Sequence, residues 1–279
     1  YDDRRHSREH EREADALGIK YLQNTRYDSR EAQRCMDILE NIDKAKYADS
    51  LDLKACFDHP AYPFKAEWLK EEQTLAFSGD ANDDDVFHPD SIQTHPDCPE
   101  RKRLMESALI SFSSETKEKN RQAASHFDSL VRTADFEIIE SLYFYDFSAE
   151  SMYQALQLLR KYSDEPYLEG MVGMNFFKIY QALIDHDMDR QVPLPSPHQE
   201  KHFKQFVQFI HKLRTREIAK LDYYFLQGKT STPEQNEQML CALALAAKIM
   251  EKPDEFEKGK ANYKKAFPKG KYAELLGLK

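Results

Sequence analysis

His6-Ser7-Arg8-Glu9-His10-Glu11-Arg12-Glu13-Ala14-Asp15-Ala16-Leu17-Gly18 is the stretch on which the reading of this chain turns. Nothing before Gly18 breaks a helix, and its Glu, Arg, Ala and Leu content favours one. On a helix, Glu11 and Asp15 lie four residues apart and share a face. Ala14 and Gly18 make a second i, i+4 pair, small enough to predict a closely packed neighbour. A carboxylate pair beside a narrow packing surface suits a metal site, where one acid ligates and the other orients a further ligand. The same residues also describe a solvated helix face laced with ion pairs. His6, Glu9 and His10 overlap the motif with a different pattern, H-x-x-E-H. It sets two His at i, i+4 as zinc ligands and Glu9 as base, and it leaves the following Ala14-Asp15-x-x-Gly18 unexplained.

Ser7-Arg8-x-x-Glu11-x-Glu13-Ala14-Asp15-x-Leu17-Gly18 resembles the second metal motif of the HtpX-like zinc metallopeptidases, metallopeptidase family 48. The likeness continues through Gly18-x-x-x-Leu22 and a turn into Tyr27-Asp28-x-x-Glu31-Ala32. It resumes at Thr94-His95-Pro96, which is similar to a His-Pro loop of that family with an Arg six residues after the His, here Arg101. His59-Pro60 and His88-Pro89 have no Arg at that distance. The resemblance implies a gluzincin-type peptidase domain acting on polypeptides in an extracytoplasmic setting, with one zinc ion. It implies Glu11 as the third zinc ligand and Asp15 as the acid that orients another ligand. It implies His95 facing the metal or substrate, and Arg101 pairing with a carboxylate or an oxyanion. The family's H-E-x-x-H helix is missing from the sequence. Two His ligands and the general base are therefore expected on a further segment, this chain is expected to be inactive by itself, and zinc is expected only with that segment. A noncatalytic helical scaffold with a remnant peptidase half is the alternative.

Outside the motif, composition narrows the class. The 279 residues carry 41% hydrophobic and 32% charged side chains with only 8 glycines, which points to an all-α, soluble-type fold. A net charge of −9 with interspersed signs argues against nucleic acid as a partner. Cys35, Cys56, Cys98 and Cys241 form no C-x-x-C pair and define neither a zinc knuckle nor a redox compartment. No apolar run is long enough to span a membrane, and Met239–Met250 reads as a buried helix.

Two domains are expected, the C-terminal portion of a peptidase domain at 1–110 and an irregular tetratricopeptide-like helical domain at 111–279. Asp28 and Glu31 have capping-box spacing ahead of a helix to about Ala45. The region from Ala48 to Asp90 reads as an insertion near the cleft, with Trp68 in a short helix at about 65–76. Residues 79–85 form an acidic loop without a calcium-loop pattern. Further helices are predicted at 102–110, 111–134, 149–162, 167–186, 199–226, 233–250 and 254–267. The hairpin of 149–162 and 167–187 is expected to pack Met152, Leu156 and Leu159 against Gly170, Gly173 and Ala182. The Phe203, Phe206, Phe209, Ile210 and Leu213 stripe reads as core, and Tyr143-Phe144-Tyr145 as a patch for peptide or a protein partner.

Overall fold

The computed structural model describes residues 2–25, 27–47, 50–70, 98–110, 124–196, 199–227, 229 and 236–278. Their secondary structure is helical, with one isolated β-bridge, His59–Tyr62. The helices are α1 (Asp2–Gln23), α2 (Glu31–Tyr47), α3 (Leu53–Phe57), α4 (Cys98–Ile110), α5 (Ala124–Phe144), α6 (Ser148–Lys161), α7 (Pro166–Ile184), α8 (Lys201–Lys212), α9 (Thr215–Gln227), α10 (Glu237–Ile249) and α11 (Pro253–Ala266). No helix among the described residues is long and apolar enough to cross a membrane. Two compact units interleave along the chain: Tyr1–Ala45 with Glu72–Phe127, and Lys46–Glu71 with Asp128–Lys279. Residues 46–71, read from sequence as part of the first half, thus pack within the second unit.

The first unit joins α1, α2 and α4 around three buried apolar side chains, Ile19, Met36 and Met105, with Ala32 beside them. Glu11, Asp15, Ile19, Leu22 and Gln23 are the half-buried or buried positions on the described turns of α1, repeating at four, four and then three or four residues. One helical stripe therefore carries both carboxylates and the apolar anchor. Ala14 and Gly18 fall off that stripe and are exposed. A Cβ built on Gly18 meets nothing within 4 Å, so the close-packed neighbour expected there is absent among the described residues. The Asp28 carboxylate accepts the Arg30 N–H at 3.0 Å and holds the Arg30 guanidinium.

In the second unit, α10 is the centre. Met239, Cys241, Ala242, Leu245 and Ala246 are fully or almost fully buried, and α10 packs against α7, α9 and α11. Small residues let the axes approach. A Cβ on Gly170 would sit 2.5 Å from Met239 N, and one on Gly173 2.8 Å from Leu226 Cδ1. Both glycines of α7 thus face α9 and α10, and not α6 as the hairpin pattern suggests. A buried polar chain ties α5, α6 and α7 together. Asn175 Nδ2 donates to Ser151 Oγ, and Ser151 Oγ to the Ile139 carbonyl, both at 2.8 Å.

The predicted helix at 199–226 is two helices, because Leu213 is extended between α8 and α9. The new start is capped by Glu217, whose carboxylate accepts the Arg214 N–H at 3.0 Å. Trp68 stands in a one-turn 3-10 helix, Ala66–Leu69, where a longer helix was expected. The chain from Ser50 to Lys70 is an aromatic strap. Phe57 meets Phe176, Phe209 and Phe225, Tyr62 stacks near Tyr224, and Trp68 packs on Phe64 and Phe209. Expectations for 71–97 and 111–123, the acidic loop included, lie outside the described residues.

Asp222 of α9 is fully buried, and both of its oxygens lack a hydrogen-bond partner. Burial pushes its carboxyl well above the ordinary value of 3.8. The folded state therefore keeps a proton that the unfolded chain releases above about pH 4, and stability falls as pH rises through that window toward the raised folded value. Thermal unfolding of Asp222→Asn should match the wild type near pH 4 and exceed it by several degrees at pH 8; parallel pH profiles would contradict this. Gly170→Ala should cost about 1–3 kcal/mol through overpacking against the α10 backbone. A denaturation midpoint equal to that of wild type would show that α10 yields to the methyl group.

Candidate metal-motif site

Arg101, in the first turn of α4, reaches across to α1 with a two-pronged contact. Its Nε and Nη2 each donate to an Asp15 oxygen at 2.7 Å. Nη2 also lies 3.4 Å from Glu11 Oε2. The side chains of Asp15 and Arg101 are 12% and 16% exposed and that of Glu11 is 30% exposed, so the fork is sheltered and Glu11 stands at its solvent edge. A planar guanidinium matches a carboxylate in this bidentate way, and the charge-assisted bonds are stronger than neutral ones. Arg12 pairs with Glu100 at 2.6 Å alongside. Lys102 joins α4 to Asp37 and Glu40 of α2, and the Asp37 bond holds its ammonium above the ordinary lysine value.

The structure thus gathers Glu11, Asp15 and Arg101, three residues singled out from sequence, into one cluster. With one guanidinium for two carboxylates, the trio carries a net single negative charge. Asp15 accepts both prongs of the fork, and Glu11 is the more exposed of the two acids. Glu9 and His10 lie on exposed positions of α1. His95 and the His6 side chain lie outside the described residues. Among the described residues, no group of three His, Cys, Asp or Glu side chains converges to hold a metal ion. Zinc takes three protein ligands at a catalytic site. The described donors therefore amount to a fraction of such a site, and no chemical step is derived through the metal. Sequence reasoning left Arg101 a choice between a carboxylate and an oxyanion; the pairing with Asp15, 86 positions away, makes it a clamp between helices.

Residues 4–108 match the family model of peptidase family M48. This segment is similar to peptidase family M48. The match takes in α1, α2 and α4, so the Glu11–Asp15–Arg101 cluster lies wholly inside the M48 segment. The likeness supports a metallopeptidase character for this segment in general. No curated protein and no solved structure matches the chain.

Because the clamp is partly buried, removing one partner leaves a carboxylate uncompensated. Arg101→Met should speed amide hydrogen exchange in α4 by at least tenfold while leaving α7 and α10 unchanged. Equal protection of α4 in variant and wild type would mean that the fork does not hold the helices together.

Proposed function

We propose that the M48 segment is the portion of a zinc metalloendopeptidase of HtpX-like type that carries the third metal ligand, Glu11. The supporting observation is the Arg101 fork. It fixes Asp15 on α1 and leaves Glu11, one turn earlier on the same stripe, at the solvent edge. In this reading the two His ligands and the base come from an H-E-x-x-H helix that is not among these 279 residues. A bound zinc supplies a water activated at its open coordination position. Asp15 and Arg101 position α1 and α4, so Arg101 acts as a positioning residue. His95 is proposed to face the metal or the substrate. The substrates are unfolded or membrane-associated polypeptides, and the setting is extracytoplasmic.

The first unit's own packing supports a completing element. Among the described residues, three buried apolar side chains join its three helices, and Leu17, Tyr21, Ile38 and Leu39 are exposed. The second unit, proposed to be an irregular tetratricopeptide-like domain, offers a surface for a protein partner at the turn after α5. There Phe144, Tyr145 and Phe147 are exposed while Tyr143 is buried. Asp146, in the left-handed region with φ 65°, holds the turn by bonding Lys178 at 2.7 Å and Arg190. These bonds, the one to Lys178 foremost, hold its carboxyl down at about 2.

A second reading, a noncatalytic scaffold, draws on the extensive core of the second unit, most of which lies outside residues 4–108. Metal analysis and a peptidase assay of the complete gene product separate the readings. Glu11→Gln should lose zinc and proteolysis together while the melting temperature of the second unit stays put. A Glu11→Gln protein that keeps its zinc and its activity would remove Glu11 from the site, and a wild-type protein without zinc would favour the scaffold.

A further inference from the structure

A cavity of about 220 Å³ lies inside the second unit, between α8 and the aromatic strap, and the metal reading makes no use of it. His202, Gln205, Gln208 and Lys212 line one side. Their spacings of three, three and four residues place them in a row on one face of α8, roughly 15 Å long at the helical rise. Leu51, Leu53, Trp68 and Leu69 line the other side, with Phe206 between. The wall is thus a polar row facing an apolar one.

The polar groups differ in what they have left to offer. Asp52 also lines the cavity, and its carboxylate already accepts the Ala55 N–H at 3.0 Å as the cap of α3. The Trp68 indole N–H is turned to Glu217, at 3.3 Å, so the ring and not its donor is presented. His202 Nδ1 is buried, which leaves Nε2 as the atom that can meet a ligand. Gln205 and Gln208 each carry an amide that both donates and accepts, the complement of a peptide group. Lys212 makes no ion pair among the described residues and is the one cationic ammonium on the lining.

We propose that this cavity receives the carboxyl-terminal end of an extended peptide. The terminal carboxylate meets Lys212, the last backbone amides run along Gln205 and Gln208, and the final apolar side chain lies against Trp68 and Leu69. At about 3.3 Å per extended residue the row spans four or five residues. The cavity is below the usual size of sites for larger small molecules, which suits one side chain and a length of backbone. Asp52 sets the direction, since it accepts amide N–H groups and repels the carboxylate. The proposal stands apart from the zinc reading, because it uses none of Glu11, Asp15 and Arg101; Leu51 to Leu69 fall within the matched segment yet pack in the second unit.

Trp68 is the only tryptophan in the chain, so its emission reports on the cavity. Titration with N-acetyl-Ala-Ala-Ala-Leu bearing a free carboxylate should give a saturable change. The same peptide as its carboxamide should bind at least tenfold more weakly. Lys212→Met should bring the acid peptide down to the affinity of the amide without moving the melting temperature, whereas Gln208→Leu should weaken both peptides alike. Absence of a saturable change, equal affinity for acid and amide, or unaltered affinity in Lys212→Met would each overturn the proposal.

Discussion

One guanidinium holds the motif helix in place. Arg101 spans α1 and α4, neutralises Asp15 through a fork and touches the edge of Glu11. Among the described residues, the apolar contribution around it is three buried side chains shared by three helices. Charge therefore sets the register that hydrophobic burial sets elsewhere in the chain. Arg12–Glu100 and the pairing of Lys102 with Asp37 and Glu40 extend the same device along α4. Exposed ion pairs contribute little one at a time. The sheltered Arg101 fork differs because leaving either partner alone in a partly dry site is costly. Its geometric consequence is selective: Asp15 takes both prongs of the fork, and Glu11 is the more exposed of the two acids.

The second unit is built on the opposite principle. Its core runs from Phe57 and Trp68 of the strap through α7, α8 and α9 to α10, and nearly every member is apolar. Close approach comes from glycine and alanine on α7 and α10, and polar groups enter only where hydrogen bonds are available. Asn175 and Ser151 meet that condition. Glu169 meets it in part through Lys229, 3.5 Å away. Asp222 does not among the described residues, and its burial pushes the carboxyl well above the ordinary carboxylate range.

Helix positions were largely legible in the sequence, since apolar periodicity and capping residues mark them locally. The sides on which helices pack were less so. Gly170, Gly173 and Gly18 all read as points of close approach, yet the first two face α9 and α10, and Gly18 faces open space. A small residue says that something can come near, not what does. The break after Leu213 has no Gly or Pro to announce it; the available signal was Glu217, placed to cap Arg214. The strap escaped notice because Pro60 and Pro63 interrupt any period, and its aromatic residues earn their places only through partners more than a hundred positions away, such as Phe209. At the motif, residue spacing put Glu11 and Asp15 on one face, and the family resemblance singled out both of them together with Arg101. Their joining by one fork is a long-range fact that spacing does not contain.

The most direct measurement is anomalous diffraction at the zinc edge on crystals of the complete gene product. Glu11 as a ligand requires a zinc peak with a Glu11 carboxylate oxygen about 2.0–2.2 Å away, two imidazole nitrogens completing the protein ligands, and the Asp15–Arg101 fork intact behind them. A zinc ion bound elsewhere, with Glu11 turned to bulk water, would contradict it.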